Sequence, residues 1–162
     1  GITDLVGDIH SHPREFTSSV WHIPASLTSE GSAAFSIGDL YSLLSDLHQQ
    51  RPSDTKRSIM MVVEGNETIA AFGTRRSLEI IRNHFSEPYE DFAHRWYEKY
   101  GWEFKSRAPD FKGGAELAKP HKENAATMWQ INKGIAYYYQ LALYRGFKNK
   151  PLLRDYPARN NI

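Results

Sequence analysis

Two histidines stand one residue apart near the start of the chain, in the stretch Asp8-Ile9-His10-Ser11-His12-Pro13. Side chains alternate faces along an extended strand, so His10 and His12 project from one face, roughly 6–7 Å apart along the backbone. Two imidazoles so placed can occupy neighbouring positions of one tetrahedral metal. Asp8 shares that face two residues earlier, where it can orient a ligating ring or reach the metal through it; read without a metal, it is a solvated or turn aspartate. Pro13 ends the strand, because it has no N–H to give to a ladder. With seven histidines in 162 residues, chance supplies His-x-His in roughly one such chain in three. The pair therefore needs support from the rest of the sequence.

The bulk properties leave room for such a site and remove several alternatives. A chain of 162 residues is most simply one domain, long enough to bury a real core. Its net charge of +1 gives no general attraction to nucleic acid or to an anionic membrane. No apolar run of membrane-spanning length and no signal peptide is present. There are no cysteines, hence no disulfides and no thiolate ligands, and any metal must be held by histidine and carboxylate. The chain begins at Gly1 rather than Met and reads as a piece of something longer.

The elements that must position the histidines follow from the apolar pattern. Residues 2–10 predict a strand through Leu5, Val6 and Ile9. Residues 14–35 are polar, rich in Ser and Thr, and without periodicity. They read as a long loop beside the histidines, placed to act as a substrate-gating flap. His22 within it reads as solvated. Leu40, Leu43, Leu44 and Leu47 mark one face of a helix ending near Gln50. Ser36 suits its N-cap and Asp39 its N3 position, a capping pair that explains Ser-x-x-Asp on structural grounds alone. Residues 51–54 form a turn. Residues 58–63 are a buried strand, Gly65-Asn66 a hairpin turn, and residues 68–72 its return, with Glu64 and Glu67 solvated beside the turn.

The second half reads as helical. A short helix spans 77–85. Ser86 caps the next, which carries Tyr89, Phe92, Trp96 and Tyr100 as a core stripe and stops at Gly101. Residues 102–120 are irregular. A long helix runs from about His121 to Arg145, with Met128, Ile131, Ile135, Tyr138 and Ala142 inward and Gly146 at its end. A basic tail follows. His48, His84, His94 and His121 read as surface or core-edge residues.

The order of these features resembles the JAB/MPN/JAMM metalloprotease family. Its signature is a strand ending in His-(Ser/Thr)-His-Pro, then Ser-x-x-Asp at a helix start. Here residues 7–13 (Gly-Asp-Ile-His-Ser-His-Pro) and 36–40 (Ser-Ile-Gly-Asp-Leu) carry the match. The wording of the first motif is most similar to the JAB-like domains of bacterial polymorphic toxins. The resemblance covers residues 2–73 and implies an α/β (α+β) fold: a JAMM/MPN-like, cytidine-deaminase-like mixed sheet flanked by helices. Residues 1–73 would be that core and 74–162 a helical C-terminal extension, within one domain spanning 1–162.

The resemblance also implies chemistry. His10, His12 and Asp39 would be the ligands of one zinc, with a fourth position left for water, the open geometry of a catalytic site. Ser36 would stabilise the oxyanion. The partners implied are a protein or peptide substrate and an immunity or inhibitor protein, with no nucleic acid and no membrane, in a delivered effector or a cytoplasmic protein. Two departures stand out. Residues 13–35 separate His12 from Ser36, a much longer spacing than the family's. The family's general-base glutamate lies on a strand upstream of the histidines, and residues 1–9 contain no glutamate. Asp8 is the nearest acid.

Three readings follow: a zinc peptidase or isopeptidase, a catalytically inactive JAMM-like protein-binding module, and a PHP-type phosphoesterase. The last shares the Asp-x-His-x-His motif but needs further ligands on later strands, and residues 59–63 and 68–72 carry none.

Overall fold

The apolar run after residue 58 becomes the second strand of a five-stranded mixed sheet, and the strand that carries His10 pairs directly with it. The computed structural model describes residues 7–11, 33–50, 58–105, 117–121, 124–147 and 153–156. In chain order these form β1 (Gly7–Ser11), α1 (Ile37–Gln49), β2 (Ile59–Glu64), β3 (Glu67–Phe72), α2 (Arg75–His84) and α3 (Tyr89–Lys99). β4 (Trp102–Lys105), β5 (Leu117–Pro120), α4 (Met128–Tyr139), β6 (Ala142–Phe147) and β7 (Leu153–Tyr156) follow. The main sheet has the order β1-β2-β3-β6-β7, and β4 and β5 pair separately. β1 runs parallel to β2, and the other neighbours are antiparallel. The architecture is α+β with a mixed sheet.

The parallel β1–β2 pair needs a crossover, and α1 lies within it. The register sets His10 beside Val62 and Asp8 beside Met60. Gly7 makes the pairing possible. A Cβ there would collide with the Ile59 side chain and sit 2.5 Å from the Ile59 carbonyl oxygen. The tight β2–β3 hairpin turns at Gly65, whose φ of 58° is open to glycine without cost.

One face of the sheet presents Met60, Val62, Ile69, Ala71 and Leu143, all buried. α1 covers it with Ile37, Leu40, Leu43, Leu44 and Leu47. Truncating one of these leucines to alanine costs roughly 2–5 kcal/mol. His10 and Asp8 share this helix-covered face at the β1 edge. The opposite face leaves Ile9 and Val63 exposed. α3 packs its stripe as expected: Phe92 and Trp96 are buried, and Phe92, Phe85 and Tyr89 surround the Tyr41 ring of α1 at centroid distances of 5.2–5.3 Å.

The second half departs from its reading in instructive ways. The helix expected over 121–145 is α4 alone. It ends because Gln140 enters the left-handed region at φ 55°. The Gln140 carbonyl is then captured by the hydroxyls of Thr74 and Ser77 at 2.8 and 2.7 Å. The apolar residues beyond it become β6, which pairs with β3. Gly146, expected just past a helix, is the β6 residue opposite Thr68. Residues 74–162 are therefore not a helical extension throughout. Among the described residues they contribute four strands, two of them to the main sheet.

Residues 102–105 and 117–120, read as irregular, are strands. α2 starts earlier than expected, capped by Thr74 rather than beginning at Ser77. α3 is preceded by Pro88 with no side-chain cap, so Ser86 does not cap it. His48, His84, His94 and His121 are exposed. The 51–54 turn lies outside the described residues, as do residues 14–32 of the long loop, including His22.

Candidate metal centre

The capping motif places the first functional side chain. Ser36 adopts extended backbone and takes the Asp39 N–H on its Oγ at 3.0 Å. The Asp39 carboxylate answers through Oδ2, which accepts the Ser36 N–H at 3.1 Å. A reciprocal pair of this kind satisfies two of the four free N–H groups of the helix and locks the Asp39 rotamer. One carboxylate oxygen is thereby committed, and the other is aimed outward.

That second oxygen meets β1. Asp39 Oδ1 lies 3.1 Å from His10 Nε2. On the other side of the ring, His10 Nδ1 lies 2.7 Å from Asp8 Oδ2. The His10 ring thus sits between two carboxylates, one from its own strand and one from the helix above. The hydrogen bond to Asp39 is the main cause that lifts its pKa from 6.5 to about 9; partial burial opposes the rise, and the charges of Asp39 and Asp8 and the Asp8 bond add to it. Without a metal, His10 is an imidazolium at neutral pH and donates to both neighbours. Two turns along α1, Asp46 has its carboxyl pushed up by burial and by the nearby Asp8 charge.

The donor geometry suits a shared cation. Two zinc ligands at ~2.0–2.1 Å with a tetrahedral angle between them stand roughly 3.3 Å apart, close to the 3.1 Å between His10 Nε2 and Asp39 Oδ1. In a neutral ring, Asp8 on Nδ1 would favour the tautomer whose Nε2 is left to accept a cation. Among the described residues no group of three His, Cys, Asp or Glu side chains gathers as a metal site. His12, the third ligand read from the sequence, lies outside them. Of the other sequence-read site residues, the structure brings together His10, Asp39, Ser36 and Asp8; Asp8 is solvent-exposed, as its metal-free reading had it, but lies on β1 rather than in a turn and touches the ring.

Two polar residues near the site were not read from the sequence as contributors. Glu67, expected in solvent beside the hairpin turn, is buried at 6 % exposure, and its carboxylate accepts the Ala33 N–H. Its phase gives it away: Glu67 alternates with the inward Ile69 and Ala71. Asn132 is fully buried. Its Oδ1 accepts the Phe35 N–H at 2.8 Å and its Nδ2 donates to the Phe35 carbonyl at 2.9 Å. It stands one turn after Met128, on the apolar stripe of α4.

Comparison of the chain with family models, with curated proteins and with solved structures finds no match. No helix among the described residues is long and apolar enough to cross a membrane.

Proposed function

We propose that the chain is a zinc-dependent peptidase or isopeptidase of JAMM type, acting as a toxin or effector domain on a protein or peptide substrate. The observation that carries this reading is the meeting of His10 Nε2 and Asp39 Oδ1 at 3.1 Å, between a strand end and a helix start that the motif-based expectation had paired. When bound, zinc lowers the pKa of a water towards neutrality and polarises a scissile carbonyl. His10 and Asp39 would hold the ion with His12. With an ion bound, Asp8 would keep the His10 proton on Nδ1 and leave the Nε2 lone pair for the metal. The Ser36 Oγ accepts from Asp39 N–H, which leaves its own proton to donate to a developing oxyanion.

Metal analysis tests this directly. The purified chain is expected to carry about one zinc per molecule when loaded, lost in a His10→Ala, His12→Ala double variant. Peptide-bond hydrolysis abolished by Asp39→Ala, in a chain that still folds, supports the enzyme. Metal binding without hydrolysis of any peptide or isopeptide library leaves the protein-binding module, the reading favoured by the lack of glutamate in residues 1–9. Two or three metals per chain favour the phosphoesterase.

A further inference from the structure

The segment that leads into α1 is held in an unusual way. In most connections the backbone N–H groups face water or other backbone. Here three are received by side chains: Ala33 N–H by Glu67 of β3, Phe35 N–H by Asn132 of α4, and Ser36 N–H by Asp39. Asn132 also donates to the Phe35 carbonyl. One planar amide therefore grips both polar groups of a single residue and fixes the orientation of its peptide planes. Ala33, Phe35, Glu67 and Asn132 are all buried. An unpaired amide or carboxylate in such surroundings is strongly disfavoured, and a leucine at either position would satisfy packing alone. Polar groups at apolar positions, with their hydrogen bonds spent on one short segment, define where that segment stops.

What stops there is the site. Phe35 immediately precedes Ser36, Ser36 is bonded to Asp39 in both directions, and Asp39 reaches His10. We infer that Asn132 and Glu67 are positioning residues for the metal centre, setting the distance between the Asp39 carboxylate and the His10 ring from elements that carry no ligand themselves. The inference rests on the proposed function for its metal, but the placement of Asp39 against His10 is measurable without one.

Two readouts on the full chain test it. In the metal-free protein, the His10 Nε2–H resonance hydrogen-bonded to Asp39 is followed by nitrogen-detected NMR. Separately, zinc affinity is measured by competition with a chromophoric chelator. Asn132→Leu is expected to lose the Nε2–H resonance and to weaken zinc binding roughly tenfold or more, the size of effect seen when a ligand's outer partner is removed. Glu67→Gln keeps an acceptor for Ala33 N–H and should match the wild type in both readouts, whereas Glu67→Leu should resemble Asn132→Leu. Phe104→Leu, on the separate β4–β5 sheet, should lower the melting temperature and change neither readout.

A folded Asn132→Leu chain with the wild-type resonance and affinity overturns the inference. So does a Phe104→Leu chain that loses both, since the effect would then be general loosening. If Asn132→Leu does not fold, the comparison of Glu67→Gln with Glu67→Leu decides. If the wild type binds no zinc, the proposed function falls while the resonance still judges the positioning claim.

Discussion

At the scale of single residues, His10 carries the most consequential charge. Its pKa of about 9 against an ordinary 6.5 means the folded metal-free chain holds a proton that the unfolded chain releases. The resulting stabilisation is complete below pH 6.5 and is lost as pH rises through about 9. Urea unfolding of the metal-free protein should therefore show stability declining across that window, with the decline absent in His10→Ala. Zinc must displace the same proton, so its affinity should climb about tenfold per pH unit up to about pH 9 and level off above. Calorimetry in buffers of different ionisation enthalpy would register the released proton. Ser36→Ala separates two roles in one hydroxyl. Loss of the cap should cost about 1 kcal/mol of stability, and loss of the oxyanion donor should lower kcat roughly 100-fold with KM little changed. A drop in stability alone would leave Ser36 as a cap and nothing more.

At the scale of elements, what is encoded locally is legible in the sequence. The leucine spacing and the Ser36–Asp39 pair located α1 to within a residue, and Gly65-Asn66 located the hairpin. Those signals lie within a turn or two of each other along the chain. The failures had distant causes. Nothing near Leu141 says that Gln140 will turn left-handed, because the hydroxyls that hold its carbonyl belong to Thr74 and Ser77. Leucine, tyrosine and alanine continue a helical stripe as readily as they fill a strand. The phase of Glu67 on β3 and of Asn132 on α4 marks both as inward, but what they bond lies 34 and 97 residues away. The β1–β2 pairing offers its own test. Gly7→Ala introduces a Cβ that meets the backbone carbonyl of Ile59 as well as its side chain, so β1 must shift. Thermal unfolding should show a loss of roughly 1–3 kcal/mol, and zinc affinity should fall with it because His10 moves on the same strand. Unchanged values in both would mean that β1 is not seated against Ile59.

At the scale of the whole molecule, the first 73 residues share their sheet and core with the rest of the chain. β3 pairs with β6 along its entire length, and α1 buries its apolar face in a core shared with α3 and α4. A fragment ending after Gly73 would expose the β3 edge and most of the leucine face of α1. It should show little fixed structure by circular dichroism and bind zinc no better than an unstructured His-x-His peptide. A well-folded fragment would show instead that the later strands are an addition to a complete core.

The Asn132–Phe35 grip has a consequence in time as well as in space. It joins residues 97 positions apart, a closure whose entropy must be met before its two hydrogen bonds return anything. A chain made or threaded from its N-terminus holds His10 and Asp39 long before α4 exists to lock them. The two bonds to Phe35 can therefore form only once α4 has been made, so the backbone beside Ser36 is held from the far end of the chain.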